Sequence, residues 1–378
     1  MKSYPWMIAF ESDNFMLPMK VKYDNEYFPT LQGKFSLLID KLIEKNAPSY
    51  LIDITKNYCA KITSAINFYY KGDIIQSHSI ITNLIDDCCS NNDYAVSNIN
   101  DSIAFPQVQD ISQSEVQFFR ARLNENVVDY PAEEMLHIPF NKRSIVKSER
   151  FSIPGLPCLY LGNTSYVCWI EMGRPADFRF NVSTVVLDNT QKIFNLTVST
   201  QDFYNVLDLD ISEDEKTKRL ISLLKIYLLN FATSFNVSEE NRNFKSEYII
   251  SQMIMLACKN KGLNGITYHS KRVEHEIFAH ILGVNLVLFA DFDGEEYNSK
   301  ICEHIENGDS FNYSMFKQLF PSLNYKGYDL RIALSPYITN IGTFKRQFPY
   351  NETQFYAFDK YLFANWNRIS KNKPFKEV

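Results

Sequence analysis

The stretch RFSIPGLPCLYLGNTSYVCWIE, residues 150–171, decides how this chain is read. Pro154 and Gly155 make a turn, and CLYLG (158–162) reads as a strand. TSYVCWIEM follows at once as a short helix with Thr164 or Ser165 as its cap. Arg150, Tyr160 and Glu171 stand along it at intervals of ten and eleven residues. Upstream, VQFFRARL reads as a strand, and strand alternation puts Arg120 and Arg122 on one face. Downstream, TVVLD (184–188) is a further strand, and residues 213–230 form a helix whose acidic start, Glu213–Glu215, suits the helix dipole. A second helix runs from Ser246 to Lys261 and ends at Gly262. Then come the strands NGITYHS and NLVLF (285–289), and a helix over 352–369. Strands and helices interleave without regular βαβ spacing, so the fold class is α+β.

The first ninety or so residues carry helical spacing instead. Leu31, Phe35, Leu38 and Leu42, with Ile39 and Ile43, form one stripe, which Pro48 and Ser49 interrupt. Leu51, Ile54, Ile62, Ile66, Phe68 and Tyr69 form a second, stopped by Gly72. Asp73 caps a third, with Ile74, Ile81, Leu84 and Ile85 facing inward. Residues 90–112, rich in Asn, Ser and Asp, lose this periodicity and read as a linker. The expected division is therefore a helical N-terminal domain over 1–112 and a mixed α/β domain over 113–378, with a C-terminal extension from about 295. The aromatic tail, including Tyr350, Phe355, Tyr356 and Phe358, reads as packing.

Composition narrows the function. Of 378 residues, 45 % are hydrophobic and 15 % aromatic, ample for a core. Lys and Arg number 39 against 44 Asp and Glu, a net charge of −5, which argues against a dedicated nucleic-acid coat. No apolar run reaches the ~20 residues of a membrane span. The segment Ile281–Ala290 contains Gly283 and Asn285 and reads as a core strand. Glu11 and Asp13 fall where a signal peptide would stay apolar, so none is expected. The seven Cys form no CxxC pair and read as reduced thiols of a cytoplasmic protein.

Several motifs fail on geometry. HEIFAH (275–280) spaces its two His by five, which puts them roughly 140° apart on a helix, unlike the HExxH of zinc proteases. No metal site is expected. Glu274-His275-Glu276 matches the Glu-x-Glu of some ADP-ribosyltransferases only in a three-residue pattern of common residues. GxSxG and Walker-type phosphate loops are absent.

Residues 116–290 resemble the RES domain family. Its pattern has a strand with an Arg, then an Arg-Trp-Asn segment leading through Pro-Gly into Leu-Tyr-Leu and a Glu, then Gly-Ile-Arg-Tyr-Pro-Ser and a strand opening Asn-Leu. Carried over, Arg120 matches the upstream strand Arg, Arg150 the Arg of the second segment, Tyr160 the Tyr, Glu171 the Glu and Ser270 the closing Ser. Phe151, Ser152, Glu149 and His269 depart from the pattern. The resemblance implies an ADP-ribosyltransferase-like core preceded by the small helical domain, and a toxin or phage-defence effector that consumes NAD⁺. NAD⁺ is the implied substrate, no prosthetic group is bound, and an antitoxin or other regulatory protein is the implied partner, with self-association a further candidate. Neither nucleic acid nor membrane is expected as a partner. The added N-terminal helices are a candidate sensor, oligomerisation surface or built-in restraint.

The side chains suit that chemistry. Splitting the nicotinamide–ribose bond passes through an oxocarbenium-like state, which a carboxylate such as Glu171 stabilises while holding a ribose hydroxyl. Arg150 and Arg120 suit the pyrophosphate. Tyr160 offers a flat face to nicotinamide, and Ser270 a hydroxyl within the pocket. The expected catalytic set is Glu171, Arg150 and Tyr160, with Arg120, Arg150, Tyr160 and Ser270 binding the substrate. Transfer to a macromolecule, and a degenerate binding module, are the alternatives.

Overall fold

The computed structural model describes residues 4–90, 93–99, 115–239, 242–272, 283–292, 299–320, 340–343 and 346–365. The motifs at 274–280, and residues 91–92 and 100–112 of the expected linker, lie outside them; within that linker Val96–Asn98 is instead a short strand, with Ala95 and Ile99 buried. The principal elements in chain order are α1 (Tyr27–Glu44), α2 (Ser49–Tyr70), α3 (Ile74–Cys89), β1 (Glu115–Leu123), β2 (Cys158–Gly162), α4 (Ser165–Glu171), β3 (Phe180–Asp188), α5 (Thr200–Leu207), α6 (Glu213–Thr233), α7 (Ile249–Asn260), β4 (Gly265–His269), β5 (Val284–Phe289), β6 (Ile305–Asn307), α8 (Tyr313–Leu319) and α9 (Gln354–Asn365). The fold is α+β, with helices and strands in the expected order.

Two compact units are present. The first comprises Met1–Ser97, Ser148–Ser152 and Phe194–Leu263. Sequence spacing divides the chain at 1–112 and 113–378, whereas this unit adds α5, α6 and α7 to the N-terminal helices. The reason lies in α6, which is buried almost all round from Leu223 to Thr233. A helix apolar on every side has to be covered on every side. Phe231 meets Phe15 and Phe35 at ring separations of 6.0 and 5.8 Å, and Phe10 meets Tyr227 at 5.4 Å. The Tyr27 hydroxyl donates to the Ala232 carbonyl at 3.0 Å, and Lys225 pairs with Asp87 at 2.9 Å. Met19–Val21 runs parallel to Phe235–Val237 as a short ladder.

Local signals set the helix ends. Asp73 accepts from the Gln76 N–H at 3.0 Å, and Ser212 caps α6. Gly72 and Gly262 take positive φ, at 83° and 75°, where a side chain is strained. Leu31, Phe35, Leu38 and Leu42 are buried as expected, but Ile43 is 48 % exposed, since it lies about 100° round the helix from Leu42. Ile74 is 49 % exposed, because α3 turns Ser77, Ile81, Leu84, Ile85 and Cys88 inward and leaves its first residue outside that line.

The second unit comprises Asn98–Lys147, Ile153–Ile193 and Asn264–Val378. It carries antiparallel ladders in the order β6-β3-β1-β2-β5-β4. Alternation gives the sheet two apolar faces. Val116, Phe118, Leu159, Leu161, Val185, Leu187, Leu286 and Leu288 share one core. Phe119, Ala121, Phe180 and Val182 face the other, with Cys168, Tyr313, Phe316, Phe358 and Leu362. β1 and β2 are paired only through Phe119 and Gly162. Gly162 is required there: a Cβ would stand 2.5 Å from Val167 Cγ1 and 2.8 Å from Cys168 Sγ, so α4 rests directly on its backbone.

Candidate active site

The expected cap of α4 is Thr164, whose hydroxyl accepts from the Val167 N–H at 3.1 Å. The helix crosses the sheet on the face of Phe119, with the Cys168 thiol donating to the Phe119 carbonyl at 3.3 Å. It ends at Glu171, whose side chain keeps 30 % of its surface accessible. Asn285 Nδ2 donates to Glu171 Oε1 at 2.7 Å, and Arg272 Nε stands 3.9 Å from Oε2. The register sets Asn285 opposite both Gly162 on β2 and Tyr268 on β4. Tyr160, two residues before Gly162, therefore points to the same face. Glu171, Asn285, Tyr160 and Tyr268 thus share one side of the sheet.

Ser270 belongs to the same unit but plays a backbone role. Its hydroxyl accepts from the Arg272 N–H at 3.1 Å, and its own N–H donates to the Gly283 carbonyl at 2.8 Å. It fixes the turn that presents Arg272 to Glu171.

Arg120 and Arg122 lie, as expected, on one face of β1, that of Val116 and Phe118, yet their surroundings differ. Arg122 is half-buried, pairs with Glu134 at 3.1 Å and stacks over Tyr130. Arg120 Nη1 donates to the Tyr160 carbonyl at 3.1 Å, across the gap where β1 and β2 part. Its Nε is closed off from water without a partner, and no carboxylate pairs with it among the described residues. Burial, aided by the like charge of Arg122, lowers its pKa to about 10. A desolvated guanidinium with open donor capacity is a receptor for an anion. His137 is in electrostatic reach of it; Ser299 N–H donates to Nε2 at 3.2 Å and Nδ1 meets the Ile138 carbonyl at 2.8 Å, so the ring is the neutral Nδ1–H tautomer. Burial, more than Arg120, lowers its pKa.

Arg150 falls in the first unit, whereas Glu171, Tyr160, Arg120 and Ser270 fall in the second. Its Nη2 donates to Thr233 Oγ1 and Ser234 Oγ, each at 3.3 Å, and its guanidinium lies 5.1 Å from the Phe151 ring. The short segment carrying it is gripped by α7, where Gln252 Nε2 donates to Ser148 Oγ and to the carbonyls of Glu149 and Ser152 at 2.9–3.1 Å.

Sequence reasoning missed Asn285 and Arg272. A polar residue inside the apolar run VNLVLF, 4 % exposed here, was the available signal for Asn285. Arg272, in the run HSKR, carried none. Among the described residues no cluster of three or more His, Cys, Asp or Glu could hold a metal, and no helix is long and apolar enough to cross a membrane. All seven Cys are unbridged.

No family model matches the chain. Over 284 residues it is 28 % identical to "Putative toxin YopC" of Bacillus subtilis (strain 168), a match covering 71 % of this chain and 62 % of that protein. The chain thus spans less than two thirds of that curated relative. Among solved structures it is similar to a chain of the M. tuberculosis MbcT-MbcA toxin-antitoxin complex, at 12 % identity and a TM-score of 0.30, over 63 % of this chain and 96 % of that one.

Proposed function

We propose that this protein is a toxin of the RES type that cleaves the nicotinamide–ribose bond of NAD⁺ and passes the ADP-ribosyl group to water or phosphate. One observation carries the reading: Glu171 is held by Asn285 and Arg272 on the side of the sheet that also bears Tyr160. In the reaction the C1′–N bond breaks, its electron pair leaves on the pyridine nitrogen, and neutral nicotinamide departs. C1′ then gains an oxygen of water, with loss of a proton, or of phosphate. Glu171 accepts a ribose hydroxyl and opposes the charge growing on the ring. Asn285 occupies one carboxylate oxygen and leaves the other turned toward Arg272 and substrate. Tyr160 supplies a flat surface for the nicotinamide ring. Arg120 lies on the opposite face of β1 and meets this side only through its bond to the Tyr160 carbonyl at 3.1 Å. The toxin name of the Bacillus relative accords with this reading, and a restraining antitoxin goes with it.

The test is NAD⁺ consumption by the purified chain, with and without phosphate, beside Glu171→Gln. The glutamine variant should lose about 100- to 1,000-fold in kcat, the range for removing one preorganised electrostatic group. Free ADP-ribose or its 1″-phosphate identifies the acceptor, while label retained on a protein band would replace small-molecule transfer with macromolecular modification. Equal rates for the wild type and Glu171→Gln would refute the assignment.

A further inference from the structure

We propose that Asp359, on the C-terminal helix α9, is a positioning residue for Glu171, its carboxylate clamping the first turn of α4 and coupling NAD⁺ cleavage to the protonation of that clamp. The proposal deepens the function above and rests on Glu171 being the catalytic carboxylate.

Asp359 Oδ1 accepts from the Ser165 N–H at 3.0 Å, and Oδ2 accepts from the Tyr350 hydroxyl at 2.7 Å. Ser165 Oγ donates to the Phe355 carbonyl at 3.5 Å, a weaker tie to the same helix. Around these bonds Phe355 packs against Tyr166 at 5.3 Å and Trp169 at 5.4 Å between ring centroids. Ser165 and Glu171 open and close one helix of seven residues. Fewer than two turns separate them, so a displacement at one end is delivered to the other. The middle of α4 is fixed on Gly162, which leaves its two ends as the points where orientation is set.

The surroundings of Asp359 are unusual for a structural carboxylate. It is 2 % exposed, and no cation pairs with it among the described residues. The titratable groups facing it are Tyr350 from the turn before α9, Tyr313 from α8 and Cys168 from α4, none of which carries positive charge. Phe180 and Val182 of β3 contribute only apolar surface to the same core. Burial raises the Asp359 carboxyl to about 7, against the hydrogen bonds from Ser165 and Tyr350 that favour its ionised form. The ionised clamp accepts both donors through charge-assisted bonds. The protonated clamp has lost that charge and turns one oxygen into a competing donor.

The experiment compares the full-length wild type, Asp359→Asn and Tyr350→Phe by NAD⁺ consumption from pH 5.5 to 9. In the wild type kcat should rise through pH 7, by about tenfold for a sub-ångström realignment, with KM changing less. Asp359→Asn keeps an acceptor for Ser165 but cannot ionise, so its profile should stay at the low-pH level. Tyr350→Phe keeps the carboxyl and removes a donor to its charged form, so the midpoint should move to higher pH. Hydrogen exchange of the amides over 163–172, corrected for intrinsic rate, is read on the same three proteins. Protection should change through pH 7 in the wild type and stay flat in Asp359→Asn. Matching pH profiles in the wild type and Asp359→Asn overturn the proposal. So does an unshifted midpoint in Tyr350→Phe, or exchange over 163–172 that ignores the substitution. A wild type that consumes no NAD⁺ at any pH overturns the proposed reaction, and the exchange measurement then decides the clamp alone.

Discussion

Replacing Asn285 by Asp keeps its shape and inverts the meaning of its contact with Glu171. In the wild type Asn285 Nδ2 donates to Glu171 Oε1 at 2.7 Å, from a strand position 4 % exposed. A hydrogen bond to a charged group is worth about 1.5–3 kcal/mol, or roughly 10- to 100-fold in rate if it is needed to aim the carboxylate. Asn285→Ala removes that donor and should lower kcat by this amount. Asn285→Asp should go further, because an oxygen then faces an oxygen and two carboxylates within hydrogen-bond distance cannot both ionise readily. One of the pair is forced to hold a proton near neutral pH, so the variant should show a pH profile that Asn285→Ala lacks. The assay is steady-state NAD⁺ loss by each variant from pH 5 to 9, with circular dichroism to verify folding. An Asn285→Asp enzyme with wild-type kcat and an unchanged profile, beside an inactive Glu171→Gln, would refute the idea that this bond orients the catalytic group.

Other consequences can be checked in parallel. Arg120→Leu should leave the urea midpoint unchanged or raise it, because a desolvated cation lacking a carboxylate partner is removed. Gly162→Ala should lower stability by about 1–3 kcal/mol through the clash with Val167 and Cys168, read as a lower denaturant midpoint. Asp359 has a folded pKa of about 7 against an ordinary 3.8. Its contribution is therefore complete below pH 4 and lost as the pH rises through 7. Relative to Asp359→Asn, the wild type should lose on the order of 4 kcal/mol over that range, and urea titrations at pH 4.5 and 8 test the sign.

What could be read from sequence was local. The bounds of β2, the Thr164 and Asp73 caps and the stop at Gly262 all follow from residues within a few positions of one another, where backbone geometry is settled by neighbours. The pairing of Glu171 with Asn285 spans 114 positions and depends on two strand registers, so spacing within one segment holds no trace of it. Arg150 and Tyr160 sit ten residues apart in one motif and fall in different compact units, because Gln252 takes hold of the backbone at 148–152. Asp359 lies within a helix and an aromatic tail whose sequence reads only as packing. Only the convergence of Ser165 and Tyr350 on it distinguishes it from the packing residues Phe355 and Phe358.

The helix at the centre of the first unit has a consequence in time. Leu31, Phe35 and Leu38 of α1 leave the ribosome long before Phe231, against which Phe35 packs. At about 5–20 residues per second the interval between completion of α3 and of α6 is roughly seven to thirty seconds. Throughout that interval the nascent N-terminal helices have no central partner, and their apolar stripes are available to chaperones or to other nascent chains. Birth of this protein is therefore a window of vulnerability that closes only when residue 233 has emerged.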